Sequence, residues 1–402
     1  MAQSFTNLLE QDKQVIAPLY GKADINFVKG DGSYLFNDKG EKYLDFVAGI
    51  AVNGLGHQNA GIKAAIVEQL NHFNHISNLY PNYPQIALGK KLLEVSGFDK
   101  AFFCNSGTEA NEGCIKFARK YFNRKGEAHR QKIVTFINSF HGRTFAALSA
   151  TGQPSIREGF GSMPGDFVHV PWNDVEALQK EIDGNSCAIM LESLAAEGGV
   201  MTLSKEMVDA INALQKEFGV LVILDEVQAG VGRLGTFLGF EKYGLNPDLV
   251  SLAKGIGGGL PLGAVLLRQK IADQLKPGDH GTTFGGNPVA CAAGLSVVEQ
   301  VANLSLLKNV EDRSAQLRAG LAKLAEKYSP ILSVRGEGLI IGLALDEKLP
   351  VGNVIAAARD EKLMVLSAKG NVLRMLPPLN VSSAECDEAL EKLDAAFAKV
   401  SK

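Results

Sequence analysis

A chain of 402 residues, 46% of them hydrophobic, is long enough to bury a large core and to divide into two or three domains. Its net charge of −3, with both signs mixed along the chain, gives no basic face for nucleic acid or an anionic membrane. Apolar runs such as 220–224 and 339–341 fall far short of the ~20 residues of a membrane-spanning helix, and MAQSFTNLLEQDK lacks the basic start and apolar stretch of a secretory signal.

The five cysteines (Cys104, Cys114, Cys187, Cys291 and Cys386) are odd in number, scattered and free of any CxxC pair. The expectation is a reduced, cytoplasmic protein with no metal site.

In chain order, short apolar runs alternate with helix or turn signals. The runs are 101–104, 133–137, 167–170, 188–191, 220–224, 249–252 and 264–267. They are continuously apolar rather than alternating, which predicts an α/β fold with a mostly parallel sheet covered by helices on both faces. After the first run, Asn105-Ser106-Gly107-Thr108-Glu109 opens a helix whose Ala110, Cys114, Phe117, Ala118 and Tyr121 share one face. Ser106 is the expected N-cap and Glu109 its capping-box partner. A helix start entered through glycine offers free N–H groups and a positive dipole end to a phosphate, although an ordinary capped helix carries the same signature.

The run 220–224 delivers Asp225 and Glu226 to the carboxyl edge of the sheet, where open α/β sheets bind ligands. A nucleotide-hydrolase strand would also end in acids, but the chain has no GxxxxGK[ST] loop to accompany it. Lys254 follows the run 249–252 and precedes Gly255, Gly257, Gly258, Gly259 and Gly263. An amine held there suits an aldehyde cofactor that forms a Schiff base, with an acid placed for a pyridinium nitrogen. Beyond HGTTFGGNP the character changes. Helical stretches at 287–303 and 309–328 lead to strand-like GLIIGLAL and LRML, then to a helix announced by Ser382 and Glu385. The expected division is an N-terminal segment (1–60) packing with the small domain, a large domain (61–300) and a small α/β domain (301–402).

Five motifs in order, NSGTEAN, SFHGRT, LDEVQAGVGRLG, SLAKGIGGGLPLGA and HGTTFGGNP, resemble the class III pyridoxal-phosphate aminotransferases of fold type I. The resemblance covers nearly the whole chain. Within that family, YLDFVAGIAVNGLGH, ISNLYPNYPQIALGKKL, FFCNSGTEANEGCIKFARK and ALSATGQ are most similar to acetylornithine aminotransferases.

The resemblance implies a large domain with a seven-stranded sheet and pyridoxal 5′-phosphate as cofactor. Lys254 would carry the cofactor as a Schiff base and shuttle the proton, and Asp225 would pair with the pyridinium nitrogen. Glu226 and Val227 would also border the cofactor, Val227 covering one ring face and Phe140 the other. Gln228 would bond the phenolic oxygen, Gly107 and Thr108 the phosphate, and Thr283 the phosphate of a neighbouring subunit in a homodimer. Arg143, Thr282 and Tyr20 would contact substrate.

Glu197 and Arg374 match a pair that switches between substrates in ornithine-like members, although a structural ion pair would look the same. The implied reaction passes the δ-amine of N-acetylornithine to 2-oxoglutarate. Ornithine, 4-aminobutyrate and succinyl-diaminopimelate are alternative donors, and a semialdehyde aminomutase or a non-catalytic regulator are alternative roles. One departure stands out: Glu192-Ser193-Leu194-Ala195-Ala196-Glu197 replaces the family's Glu-Pro-hydrophobic-Gln-Gly-Glu.

Overall fold

The protein, seen here as a computed structural model, is described for residues 8–401. Residues 1–7, the start of the stretch assessed above for a signal, lie outside the described residues, as does Lys402. Three strands come first: β1 (Phe27–Asp31), β2 (Tyr34–Asn37) and β3 (Lys42–Asp45). The middle of the chain supplies β4 (Lys100–Cys104), β5 (Lys132–Phe136), β6 (Phe167–Val170), β7 (Ser186–Glu192), the short β8 (Leu194–Ala195) and β9 (Met201–Thr202), β10 (Leu221–Asp225), β11 (Leu249–Leu252) and β12 (Gly263–Leu267). The tail adds β13 (Ile331–Glu337), β14 (Ile340–Leu345), β15 (Leu363–Met364), β16 (Leu366–Ala368) and β17 (Val372–Met375).

All seven apolar runs are strands of one sheet, in the order β4-β12-β11-β10-β7-β5-β6. Pairing is parallel from β11 through β10, β7 and β5 to β6, and β12 alone runs against its neighbours β11 and β4. Every residue of β7, β10, β11 and β12 is buried, which is why these runs are continuously apolar.

Alternation along β10 feeds two cores. Leu221 and Ile223 pack in a cluster with Ile115, Phe117 and Phe122 of the helix Gly107–Arg124. Val222 and Leu224 belong to the opposite cluster, with Met207, Ile211 and Leu214 of the helix Lys205–Phe218. Each such side chain removed from water stabilises the fold by about 1.5–3 kcal/mol.

The tail folds its own antiparallel sheet, β13-β14-β17-β16, with helices Leu304–Lys327, Val351–Asp360 and Ser383–Val400. Ser382 and Glu385 form the expected reciprocal capping box. The helix expected at 309–328 starts earlier, at Leu304, because the Asn303 side chain accepts from Ser305 N. β3 pairs in parallel with β15, so the segment before residue 60 shares a sheet with the tail. Among the described residues, no single helix is long and apolar enough to cross a membrane.

Because β4, β7, β10 and β11 point the same way, their carboxyl ends form one edge. Cys104, Glu192 and Asp225 emerge there, with Lys254 just past β11.

Candidate active site

A cavity of about 450 Å³ opens at this edge, its walls including Gly107, Thr108, Phe140, Arg143, Asp225, Val227, Gln228 and Lys254. Residues 147 positions apart in the chain meet because each ends or follows a strand of one sheet, as the span from Gly107 to Lys254 shows.

Asp225, 4% exposed, is the last residue of β10. Its Oδ2 accepts from Asn111 Nδ2 at 2.7 Å and from His141 Nδ1 at 2.8 Å, and its Oδ1 accepts from Val227 N at 3.0 Å. Asn111 is itself fixed, donating also to His141 O and accepting from Ser251 Oγ. The other ring nitrogen of His141 lies 3.2 Å from Thr135 Oγ1. Three neighbours therefore hold and aim this buried carboxyl, an arrangement suited to a pyridinium nitrogen.

Lys254 opens a single turn of 3-10 helix and has a φ of 49°, the left-handed region that a non-glycine residue avoids. That strain, of order 1–3 kcal/mol, is held by the surrounding structure and fixes where the side chain emerges. Burial pushes the Lys254 ammonium below its ordinary range; Glu197, Asp225 and Glu192 oppose the shift, and Arg374 adds to it. The net direction favours a neutral, nucleophilic amine.

At the end of β4, Ser106 Oγ accepts from Glu109 N at 3.3 Å and so caps the eighteen-residue helix Gly107–Arg124. The capping box is not reciprocal as expected: Glu109 Oε2 instead takes the backbone N–H and side-chain amide of Asn105. Gly107 and Thr108 line the cavity, and as the first residues of the helix their N–H groups lie beyond its internal hydrogen bonds. A Cβ on Gly107 would lie 2.7 Å from Val227 Cγ1, so glycine lets the helix start and Val227 close on the same ligand. Likewise a Cβ on Gly142, at φ 135°, would strike Thr108 Oγ1 at 2.2 Å.

Near the cavity, Arg374 on β17 reaches across from the small domain. It is 1% exposed, and its Nη1 lies 2.7 Å from Glu197 Oε1 and 2.9 Å from Gln228 Oε1. Gln228 Nε2 in turn donates to Glu197 Oε1 at 3.3 Å. Burial alone would raise the Glu197 carboxyl, but Arg374, Lys254 and Gln228 bring it below its usual range. Glu197 is ionised and pairs with a guanidinium whose Nε has no hydrogen-bond partner among the described residues.

Other expected residues lie elsewhere. Glu226 does not line the cavity. Its buried carboxylate accepts from Ser193 Oγ, Gly239 N and Phe240 N, and so anchors the loop beyond Gln228. Burial chiefly, eased by those three donors, leaves its pKa at about 7. Tyr20 is 76% exposed and outside the cavity. Thr282 and Thr283 lie on a surface loop outside this chain's own cavity, with Thr282 Oγ1 3.3 Å from Asn105 Nδ2. Arg143 lines the cavity mouth and is exposed, its guanidinium 5.7 Å from the centre of the Phe140 ring.

A family model for aminotransferase class-III matches residues 15–397. The chain belongs to the class-III aminotransferases. This class-III aminotransferase is 44% identical over 393 residues to an acetylornithine aminotransferase of Caldanaerobacter subterraneus subsp. tengcongensis, covering 98% of its own length and 100% of the relative's. An acetylornithine aminotransferase of Methanocaldococcus jannaschii is 42% identical, with 98% and 99% covered. Among solved structures, the N-acetylornithine aminotransferase of Stenotrophomonas maltophilia superposes with a TM-score of 0.85 at 33% identity, covering 98% of this chain and 99% of that one. The ornithine aminotransferase of Toxoplasma gondii does so with 0.94 at 29% identity, covering 98% and 94%.

The cofactor of this class-III aminotransferase is pyridoxal 5′-phosphate. The residues present fit it, with a buried amine, a triply held carboxylate and a helix start cleared by glycine in one cavity. Neither Asn111 nor the His141–Thr135 link was given a role from the sequence, and Glu192 appeared there only as the first residue of the departing stretch. His141 stands in a quoted motif, but its contact with Asp225 spans 84 residues and has no local signature.

Proposed function

We propose that this class-III aminotransferase transfers the δ-amino group of N-acetylornithine to 2-oxoglutarate, giving N-acetylglutamate semialdehyde and glutamate, a reaction of arginine biosynthesis. The observation that carries the reading is the Glu197–Arg374 pair beside the Lys254 cavity. One pocket must take a terminal amine in one half-reaction and an α-amino acid in the other. Glu197 neutralises the buried guanidinium while a δ-amine occupies the site. An α-carboxylate displaces Glu197 when glutamate or 2-oxoglutarate binds. The names of the relatives above support the same donor.

Pyridoxal phosphate, when bound, supplies an aldehyde for the amine and a ring that accepts the electron pair left by a departing C–H proton. The Asp225 carboxylate would face the ring nitrogen and favour its protonated form. Gly107 and Thr108 N–H groups would hold the phosphate, and Phe140 and Val227 would flank the ring. Lys254 Nζ would hold the cofactor's aldehyde carbon, and as a free amine it is placed to take a proton as base and return it as acid. Arg143 offers a planar fork to the carboxylate at the far end of the substrate. The two substrates follow one another in ping-pong order.

The site works in a homodimer, with Thr283 reaching the neighbouring subunit's phosphate and Thr282 its substrate. Exposed Leu79, Tyr80, Tyr83 and Phe284 support such an interface, being 84, 64, 79 and 62% exposed on two segments tied by Asn78 Nδ2 to Thr282 O and Gly285 O. The chain divides at about residues 60 and 300 into the three parts expected from sequence, and its five free, buried cysteines support a reducing, cytoplasmic setting.

The test is a steady-state comparison of N-acetylornithine, ornithine, succinyl-diaminopimelate and 4-aminobutyrate with 2-oxoglutarate. The highest kcat/KM is expected for N-acetylornithine, and a clear preference for any other donor would overturn the assignment. Turnover without a keto acid would indicate an aminomutase.

A further inference from the structure

Arg143 stands at the cavity mouth between a glycine and the first turn of the short helix Phe145–Ala150. Both of its flanks are tied to the helix Gly107–Arg124. Gly142 has a φ of 135°, and a Cβ there would strike Thr108 Oγ1, so the backbone passes directly over the Thr108 hydroxyl. That hydroxyl accepts from the N–H groups of Arg143 and Thr144, both at 3.2 Å, and lies 2.9 Å from Thr144 Oγ1.

The contacts continue to Glu112, one turn further along the same helix. Thr144 Oγ1 donates to Glu112 Oε1 at 2.6 Å. A hydroxyl has one hydrogen, so with that of Thr144 given to Glu112, the hydrogen between the two threonines comes from Thr108. The Thr108 hydroxyl then has its hydrogen and both lone pairs engaged, and all three engagements are with residues 143 and 144.

Glu112 holds the other flank. Its Oε1 also accepts from Ala146 N at 2.9 Å and Ala147 N at 3.1 Å. These are orphan donors of the first turn of Phe145–Ala150, whose own N-cap residue, Thr144, supplies no side-chain cap. A carboxylate on one helix therefore caps its neighbour, and the residue just before that cap is Arg143.

We propose that Glu112, Thr144 and Thr108 are positioning residues for Arg143. They fix the backbone from which its guanidinium reaches the substrate carboxylate. The inference rests on the substrate role given to Arg143 in the proposed function. An exposed arginine side chain has many rotamers, and a fixed backbone limits where its fork can reach. The anchor is the same helix whose start is offered to the cofactor phosphate. One rigid element would thus set the spacing between cofactor and substrate carboxylate.

The probe is glutarate, a dicarboxylate with neither amine nor keto group, titrated into the holoenzyme by calorimetry. Arg143→Met should weaken its binding about 100-fold, by loss of a bidentate charged contact. Glu112→Ala should weaken it about tenfold, through a loosened Arg143. Removing a negative charge would by itself strengthen the binding of a dianion, so a weakening separates positioning from electrostatics. Glu112→Gln keeps an acceptor oxygen and should restore most of the affinity. Placed on Arg143→Met, Glu112→Ala should add no further loss, because the residue it positions is gone. In turnover, Glu112→Ala should raise KM for N-acetylornithine and 2-oxoglutarate by more than it lowers kcat.

Glutarate binding unchanged in Glu112→Ala but weakened in Arg143→Met would overturn the proposal alone. Equal losses in Glu112→Gln and Glu112→Ala would overturn it, as would losses that multiply in the double variant. Binding unchanged in Arg143→Met would instead refute the substrate role of Arg143, and this inference with it. If Glu112→Ala fails to fold, Thr144→Val removes the hydroxyl between Thr108 and Glu112 and decides the matter, with Thr144→Ser as its rescue.

Discussion

Replacing Glu197 with alanine isolates the energetic logic of the substrate switch. Arg374 is 1% exposed at its side chain and Glu197 29%, with the two 2.7 Å apart. Deleting one partner of a buried ion pair costs about 3–5 kcal/mol, because the remaining charge keeps its desolvation penalty. Glu197 is partly solvated and Gln228 Oε1 would still accept from Arg374 Nη1, so the lower end, about 3 kcal/mol, applies. An α-carboxylate that binds Arg374 then relieves this cost instead of having to displace Glu197. At about 1.4 kcal/mol per tenfold, kcat/KM for glutamate should rise ~100-fold relative to that for N-acetylornithine. The assay follows each half-reaction separately by the cofactor's absorbance, and urea denaturation should show a less stable free enzyme. An unchanged ratio between the two donors would refute the switch and leave Glu197–Arg374 as a structural pair between domains.

Lys254→Ala should abolish turnover together with the visible band, as measured by single-turnover absorbance with glutamate. Ser193→Ala removes a donor to the buried Glu226 carboxyl and should cost about 1.5–3 kcal/mol where that group is ionised. Glu226 has a folded pKa raised to about 7, so its ionisation opposes folding and stability falls as pH climbs from its unfolded value toward 7. The Ser193 hydroxyl supports the charged form, and the loss in urea midpoint should be larger at pH 8 than at pH 5.5. Equal losses at both would show that the hydroxyl does not act through the Glu226 charge. Gly107→Ala sets a Cβ 2.7 Å from Val227 Cγ1 and should cost about 1–3 kcal/mol by overpacking, read as a lower Tm and weaker cofactor binding.

The departure that sequence could only flag now has a physical description. Where related chains have proline, Ser193 donates to Glu226 and ties the exit of β7 to the exit of β10. The following Leu194 and Ala195 form β8 and pair with β9, so the backbone leading to Glu197 is held by hydrogen bonds rather than by a proline ring. Glu226, adjacent to Asp225 in the chain, had looked like part of the cofactor site. It belongs to the scaffold, because successive residues leaving a strand turn to opposite sides.

The large sheet was legible because its strands are buried on both faces. That burial forces continuous apolar runs, and all seven predicted runs became its strands. The helix start at Gly107 and the positions of Asp225 and Lys254 were legible too, since capping, glycine and strand-end signals are local in the chain. Partnerships across the sheet edge were not. The ties of Asp225 to Asn111 and His141, of Arg374 to Gln228, and the burial of Glu192 beside Asp225 depend on strand order. A chain carries no local record of which strand will lie beside which. The upward push on the Glu192 carboxyl likewise follows from burial, which folding settles by deciding what surrounds each carboxylate and how far water is excluded.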